Sequence, residues 1–317
     1  MELRFGILST SSIAPRFIAA VRAAVRAAKA GQILAVSSRT LEKAQEKATE
    51  WEIPTAYGSH KELLEDANVN IVYISTVNAL HYPWAKAALE QGKHVICEKP
   101  CTTSVRETEA LYALAREKGL FFMEAEKMLF LPAVLAVKER IEKGDLGQIY
   151  MAELSHSFPA SYNGWMFDET AGGGPLLSSG IYAVQLMAWL FGRITQIRGT
   201  ASKLETGVEW QYILTGETEQ GVLFSAKNST RAVLDNTCRI FGTKGYVELP
   251  NYWKARTAIF HIAGGEEVLE FPCEHELIYE VAHIVDCMEK GLITSPVVTE
   301  EVSVEGIRAI ETVKANW

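Results

Sequence analysis

Short apolar runs alternate with longer helical stretches over the first 125 residues of the chain. The segments between the runs place apolar residues every three or four positions, which is typical of amphipathic helices. The runs themselves are nearly all apolar, as expected of strands that are covered on both faces. They lie at residues 3–8, 33–37, 70–75, 94–98 and 121–125. Strands that alternate with helices predict right-handed crossovers and a parallel sheet.

The pattern changes after about Pro132. One helical stretch is followed by seven strand-like segments between residues 149 and 262, and helical patterns return at 279–290 and 302–313. Consecutive strands of this kind predict an antiparallel sheet. We therefore predict an α/β protein of two domains. Residues 1–125 form a doubly wound parallel sheet of Rossmann type, and residues 126–317 form an α+β domain with a large, mostly antiparallel open sheet.

Composition narrows the class of protein. The chain has 317 residues, 48% of them hydrophobic, and a net charge of −8. Nucleic-acid binders and polybasic membrane binders need clustered Lys and Arg, so we expect neither kind of partner. The Ala-rich stretch at residues 13–30 carries four basic residues and therefore predicts an amphipathic helix instead of a membrane span. The acidic Glu2 before the first apolar run argues against a signal peptide.

The cysteines and histidines predict no metal site. Five cysteines are an odd number, and their spacings fit no zinc pattern. We interpret them as reduced thiols of a cytoplasmic protein. The histidines without ligand spacing are interpreted as structural or exposed: His156, His261, His275 and His283.

The turn after the first strand is the predicted phosphate-binding turn. A dinucleotide fold uses glycines here, because backbone N–H groups must approach the pyrophosphate at the helix N-terminus. Gly6 is a glycine, whereas Ser9 and Ser11 occupy the other two glycine positions. Serine is small and adds a hydroxyl donor, so the turn is still expected to bind phosphate. The predicted cofactor contacts of this turn are Gly6, Ser9, Thr10, Ser11, Ser12 and Ile13.

The end of the second strand indicates which cofactor is preferred. NAD-binding domains place an acid here for the ribose 2′-hydroxyl, but this chain has Ser38 and Arg39, with no acid until Glu42. A guanidinium beside a hydroxyl suits a 2′-phosphate, which favours NADP(H) over NAD(H). The alternative is an exposed arginine at a helix start, with no part in binding.

Three further segments carry a resemblance to a known family. They are residues 76–81, beginning Thr76-Val77-Asn78; residues 92–100, ending Glu98-Lys99-Pro100; and residues 172–182, from three glycines to Tyr182. With the domain order, they make the chain resemble the glucose-fructose oxidoreductase/inositol dehydrogenase (Gfo/Idh/MocA) family along essentially its whole length. Met123-Glu124-Ala125 and Tyr182 look most similar to its dimeric dihydrodiol dehydrogenase branch.

Several residues depart from the pattern of the resembled family. The usual proline of the first segment is Val77, an acid four residues before Tyr182 is Ser178, and an arginine of the dihydrodiol branch is Leu129. These changes surround the implied substrate pocket. They leave the reaction class intact and put the substrate in doubt.

The resemblance and the chemistry together assign roles. Oxidation of a carbinol needs an acid/base group near the oxygen, and an ammonium lowers the pKa of a tyrosine by favouring its phenolate. We predict Tyr182 as the acid/base and Lys99 as the cation. Further cofactor residues are predicted to be Thr76, Asn78, His81 and Glu98, although a structural His81 is equally open; Lys127, Trp165 and Tyr182 are predicted to contact substrate.

The leading hypothesis is an NADP(H)-dependent dehydrogenase or reductase acting on CH–OH groups of a sugar, polyol or trans-dihydrodiol. Two alternatives stay open: a nucleotide-binding regulator of the same fold without turnover, and an oxidative glycosidase. The antiparallel sheet is expected to leave one apolar face to a partner, which predicts a homodimer through the C-terminal sheet.

Overall fold

The computed structural model describes residues 2–28 and 31–317. The residues outside this description are Met1, Lys29 and Ala30, and the predicted end of the first helix falls on the last two. The chain divides into two compact units. Unit 1 comprises Met1–Glu126 and His275–Glu300, and unit 2 comprises Lys127–Glu274 and Glu301–Trp317.

Unit 1 contains a six-stranded parallel sheet with the strand order β3-β2-β1-β4-β5-β6. Its strands are β1 (Leu3–Leu8), β2 (Gly31–Ser37), β3 (Thr55–Tyr57), β4 (Ile71–Ile74), β5 (His94–Glu98) and β6 (Phe122–Ala125). Its helices are α1 (Ala14–Ala28), α2 (Leu41–Glu50), α3 (His60–Glu65), α4 (His81–Glu90), α5 (Val105–Lys118) and α8 (Leu277–Glu289). The order reverses between β1 and β4, which confirms the predicted Rossmann topology.

Local capping explains where the helices of unit 1 begin. The hydroxyl of Thr40 accepts a hydrogen bond from the Lys43 amide at the start of α2. Ser59 and Glu62 form a reciprocal capping box at the start of α3. Such side chains satisfy amide groups that the first helical turn leaves without partners.

A late segment of the chain returns to unit 1. Helix α8 packs against α1, and Arg16 forms an ion pair with Glu276. The Phe122 amide, at the start of β6, also donates to the Ile293 carbonyl over 3.1 Å. Residues 275–300 therefore belong to unit 1, although they follow most of unit 2 along the chain. Chain order alone could not show this return.

Unit 2 contains an eight-stranded sheet with the order β14-β13-β12-β11-β7-β10-β9-β8, in which only the β7–β10 pair is parallel. The strands are β7 (Ile149–Ser157), β8 (Ile194–Lys203), β9 (Glu209–Thr218), β10 (Leu223–Ser229), β11 (Thr237–Gly242), β12 (Gly245–Pro250), β13 (Thr257–Ile262) and β14 (Gly265–Glu270). The helices are α6 (Pro132–Glu142), α7 (Ile181–Phe191) and α9 (Glu300–Lys314). The predicted antiparallel sheet is confirmed.

The two faces of this sheet differ. Helix α7 packs against β8 and β9 and is buried along most of its length. The segment Glu169–Phe191 has the length and hydropathy of a membrane span, but 83% of its most apolar window is buried inside the protein, as in a core helix. The other face carries three exposed apolar side chains, those of Met151, Ile213 and Leu223. Met151 and Leu223 lie opposite each other on the paired strands β7 and β10.

Candidate active site

The turn after β1 follows a glycine-like path without a glycine. Ser9 has φ 109°, which lies in the left-handed region that residues other than glycine rarely adopt. Its amide donates to the Ser37 carbonyl at the end of β2 over 3.2 Å. The backbone of the turn therefore takes the course that a glycine would allow, with serine in its place.

Hydroxyl groups meet at the carboxyl ends of β1, β2 and β4. Ser11 Oγ donates to Ser75 Oγ over 2.8 Å, and Thr10 Oγ1 lies 3.5 Å from Ser38 Oγ. Thr76 Oγ1 is buried and has no hydrogen-bond partner among the residues that the structure describes. A buried hydroxyl without a partner is costly unless a ligand satisfies it. This edge is the switch point where dinucleotides bind in such sheets, so the residues present fit a dinucleotide.

Gly6 lies inside β1, three residues before Ser9. A Cβ at this position would approach side-chain atoms of Leu63 and Val69 to 2.9 Å. The packing of these two side chains accounts for the glycine. Contact between Gly6 and the cofactor stays a prediction, as do contacts of Ser12, which is exposed, and Ile13.

Arg39 is exposed directly after β2, beside a histidine that is held neutral. His60 Nδ1 lies 2.9 Å from Ser37 Oγ. Burial, together with the charge of Arg39, lowers the pKa of His60 to about 4. The guanidinium therefore supplies positive charge at the position predicted for a 2′-phosphate.

The loop after β5 is held by a half-buried hydrogen bond. Tyr73 Oη donates to Glu98 Oε1 over 2.6 Å, and the Lys99 amide donates to Glu98 Oε2 over 3.3 Å. Burial, and then the Glu98 charge, raises the pKa of Tyr73 well above its usual value. Tyr73 therefore stays a phenol and serves as a donor. Lys99 follows at the end of β5, and the peptide bond to Pro100 is cis.

His81 ties two loops together. Its Nδ1 lies 2.7 Å from the Pro100 carbonyl oxygen, and its Nε2 lies 3.0 Å from that of Thr76. Burial lowers the pKa of His81. These contacts support the structural alternative for His81, because the side chain fixes the loops that carry Thr76 and Lys99. Asn78 is buried in the short helical turn between β4 and α4.

In unit 2, Tyr182 is the second residue of α7 and follows a π-helical turn at Leu176–Gly180. Such turns are frequent at functional sites. Glu209 Oε1 accepts the Leu176 amide over 2.8 Å. A Cβ at Gly174 would lie 2.4 Å from that same oxygen. The glycine at position 174 thus allows the backbone to approach Glu209 closely.

A chain of contacts extends from Tyr182 within unit 2. Lys127 Nζ lies 5.5 Å from the centroid of the Tyr182 ring and donates to the Trp253 carbonyl oxygen over 3.1 Å. The Trp253 ring lies 3.9 Å from that of His156, centroid to centroid. The structure therefore brings two of the predicted substrate residues together, Lys127 and Tyr182.

The same cluster includes residues that the sequence did not indicate. The Asn228 amide nitrogen donates to Ser179 Oγ over 2.9 Å and lies 3.3 Å from His156 Nδ1. Asn228 Oδ1 is buried without a hydrogen-bond partner in the described part of the chain. Only residue parity along β7, which puts His156 on the buried face with Ala152 and Leu154, could have signalled His156. Nothing local could have signalled Asn228.

Trp165 lies outside the chain of contacts that the structure gives from Tyr182 to Asn228. Its side chain is 41% exposed in a short helical turn at Trp165–Phe167, and its carbonyl oxygen would lie 2.6 Å from a Cβ on Gly173. Its contact with substrate stays a prediction. Across residues 2–28 and 31–317, no group of three or more His, Cys, Asp or Glu side chains is placed to hold a metal ion.

Comparison with known proteins agrees with this geometry. Residues 3–126 match the model of an oxidoreductase family with an NAD-binding Rossmann fold, and residues 134–248 match the Gfo/Idh/MocA C-terminal domain. The chain belongs to the Gfo/Idh/MocA family. The family prediction is confirmed, and with it the class of activity, an NAD(P)-dependent dehydrogenase acting on CH–OH groups.

Relatives support the same assignment. The chain is 34% identical over 314 residues to trans-1,2-dihydrobenzene-1,2-diol dehydrogenase of Mus musculus and 33% identical over 311 residues to that of Homo sapiens. Each alignment covers 94% of this chain and 92% of the relative.

Solved structures share the fold of the whole chain. Levoglucosan dehydrogenase in complex with NADH and levoglucosan has a TM-score of 0.89 at 21% identity and covers 100% of this chain and 98% of its own. The 3-ketoreductase KijD10 from Actinomadura kijaniata, in complex with NADP, has a TM-score of 0.89 at 22% identity. The match covers 99% of this chain and 98% of the KijD10 chain. Both NADH and NADP thus occur among the neighbours of this Gfo/Idh/MocA protein.

Proposed function

We propose that this protein is an NADP(H)-dependent oxidoreductase that interconverts a carbinol and a carbonyl on a sugar, polyol or trans-dihydrodiol. The observation that carries the proposal is Lys99 at the carboxyl end of β5, next to a Glu98 that Tyr73 holds in place, in a chain one-third identical to dihydrodiol dehydrogenases over 94% of its length. Relatives named for a trans-dihydrodiol support that substrate class.

The preference for NADP(H) rests on charge at the end of β2. Arg39 is exposed there, Ser38 offers a hydroxyl, and the nearby His60 is neutral above about pH 4. A 2′-phosphate would gain a charge-assisted bond from Arg39, whereas the ribose 2′-hydroxyl of NAD(H) would find no carboxylate in the segment Ser38–Thr40.

Each part of the site has a defined task. The backbone from Ser9 to Ile13 and the N-terminal turn of α1 would hold the pyrophosphate, and Thr76 and Glu98 would lie along the dinucleotide. A nicotinamide held by these residues would supply the acceptor or donor of the hydride. In oxidation the phenolate of Tyr182 takes the hydroxyl proton; in reduction its phenol returns that proton to the carbonyl oxygen. Lys99 stabilises the negative charge that develops on the oxygen.

Two variants and two measurements test this function. A panel of aldoses, polyols and trans-dihydrodiols is followed at the NADPH absorbance, and NADPH and NADH affinities are measured by fluorescence titration. Lys99→Met and Tyr182→Phe should each lower kcat about 10²–10⁴-fold, because each removes one part of the proton chemistry. NADPH affinity should change far less. Lys118→Met and Tyr150→Phe, both away from these positions, are the matched controls.

The outcomes separate the alternatives. Cofactor binding without turnover of any substrate would favour a regulator. Turnover of a glycoside without net change in NADPH would indicate an oxidative glycosidase. An unchanged kcat in Lys99→Met, or tighter binding of NADH than of NADPH, would contradict the proposal as written.

We further propose a homodimer, formed in the cytoplasm through the open face of the unit 2 sheet. The exposed side chains of Met151, Ile213 and Leu223 on that face support it, because burying apolar surface stabilises association. Light scattering after size exclusion should give twice the 35.1 kDa of the chain. Met151→Glu together with Leu223→Glu should give the monomer mass, and a wild-type protein that is already monomeric would refute the dimer.

A further inference from the structure

Lys127 is a buried lysine at the start of unit 2, and its surroundings restrain it. Its Nζ donates to the Trp253 carbonyl oxygen over 3.1 Å and lies 5.5 Å from the centroid of the Tyr182 ring. An ammonium over an aromatic face is attracted to the ring, and burial strengthens the attraction because water screens it less. The Trp253 carbonyl therefore acts as an anchor that keeps the charge at the ring.

We propose that Lys127 is a positioning residue for Tyr182: it fixes the orientation of the ring and supplies a positive charge that favours the phenolate. The inference deepens the proposed function and rests on the role given there to Tyr182. It differs from the predicted role of Lys127 as a direct substrate contact, because Lys127 would act through the tyrosine.

Charge opposite to that of a phenolate favours its formation, and Lys127 belongs to the same unit as the tyrosine. Several charged groups on elements that pack against α7 have partners other than Tyr182. Glu209 accepts the Leu176 amide, and Glu305 accepts the Ile194 amide and pairs with Arg308. Lys203 lies over the Trp317 ring, 5.8 Å from its centroid. The His156 ring packs against that of Trp253, at 3.9 Å between centroids.

A comparison of two lysines in unit 2 makes the test specific. Lys138 also lies over an aromatic ring, 4.5 Å from the Trp189 centroid, and also donates to a carbonyl oxygen, that of Trp189. Trp189 lies about two helical turns beyond Tyr182. Lys138→Met thus removes the same kind of contact without removing the charge at Tyr182.

The decisive measurement needs no substrate. Placing 3-fluorotyrosine at position 182 alone allows its phenol to be titrated by ¹⁹F NMR, although the chain has 11 tyrosines. Lys127→Met should raise the pKa of this phenol by about one unit, a tenfold loss of phenolate at a given pH. Lys127→Arg should restore most of the shift, and Lys138→Met should leave the titration as in the wild type.

A kinetic arm connects the shift to turnover. With the best substrate of the panel, the pH at which kcat for oxidation reaches its plateau should rise by the same amount in Lys127→Met, whereas NADPH affinity stays constant. If the panel shows no turnover but the phenol shifts, the proposed function fails and the role of Lys127 stands. A phenol that titrates alike in wild type and Lys127→Met, or equally in Lys138→Met, overturns the inference. Lys127→Gln replaces Lys127→Met if the latter does not fold.

Discussion

Ser9, in the turn predicted to bind phosphate, allows a sharp test because it occupies a backbone conformation that suits glycine. Ser9 has φ 109°, and its amide is hydrogen-bonded to the Ser37 carbonyl oxygen. Replacing Ser9 by Gly keeps that backbone bond and removes only the Cβ and hydroxyl. We therefore expect Ser9→Gly to increase the free energy of unfolding.

The size of the effect follows from two opposing quantities. A side chain held at such a φ costs of order 1–3 kcal/mol in the folded state. Glycine costs about 0.5–1 kcal/mol through the greater freedom of the unfolded chain. The expected net gain is about 1 kcal/mol, which corresponds to a rise in Tm of about 2–4 °C for a domain of 150–250 residues.

Calorimetry without cofactor is the appropriate assay, since bound dinucleotide would add its own stabilisation. Ser12→Gly is the matched control: Ser12 is exposed in the same turn and does not have a positive φ. It should lose about 0.5–1 kcal/mol. If Ser9→Gly is no more stable than the wild type while Ser12→Gly behaves as stated, the assignment of strain to Ser9 is wrong.

Three further changes probe unit 1. Arg39→Ala should weaken NADPH binding about 10- to 100-fold and leave NADH binding nearly unchanged, because only the 2′-phosphate loses a charged partner; equal losses for both cofactors in a fluorescence titration would contradict this. Tyr73→Phe should lower the free energy of unfolding by about 1–3 kcal/mol, measured in urea, because the Glu98 carboxylate loses its 2.6 Å donor; Tyr57→Phe, whose half-buried hydroxyl donates to Asp66, is the comparison. His60→Asn should flatten the pH dependence of stability. The folded-state pKa of His60 is lowered to about 4, so its contribution is present above about pH 6.5 and is lost as the pH falls toward 4. Allowing for partial exposure, roughly 1–2 kcal/mol of that dependence should disappear, and an unchanged slope would show that other groups carry it.

Fold prediction succeeded where the hydrophobic pattern was strong. The five strands of unit 1 that were predicted are nearly all apolar, and their buried positions produce that pattern. The two strands that were missed are edge strands. Thr55–Tyr57 is three residues long and only half-buried, and Gly265–Glu270 is polar and largely exposed. Edge strands need little apolar burial, so periodicity hardly records them.

Site residues could be predicted where their neighbours in the sequence are enough to place them. Glu98 ends a buried strand and Lys99 follows it directly, so their place at the carboxyl end of the strand could be inferred from a few neighbouring residues. The contact between His156 and Asn228 joins residues 72 positions apart, and it exists because β7 and β10 pair in parallel with these two residues in register. Strand pairing and register are set by tertiary packing, which a single sequence does not reveal.

A sequence motif describes residue types, whereas the binding of a ligand depends on backbone conformation and charge. Serines in the phosphate-binding turn weakened the sequence prediction, yet Ser9 holds the positive φ for which glycine is normally chosen. The path of the turn is therefore a property of the fold, supported by the bond to Ser37, and the glycine is one way of reducing its cost. The same reasoning applies to Lys127: its type is unremarkable in sequence, but a buried ammonium fixed beside a tyrosine ring has few purely structural explanations. Residues that break a local rule at a site are thus where tertiary structure adds most to a functional prediction.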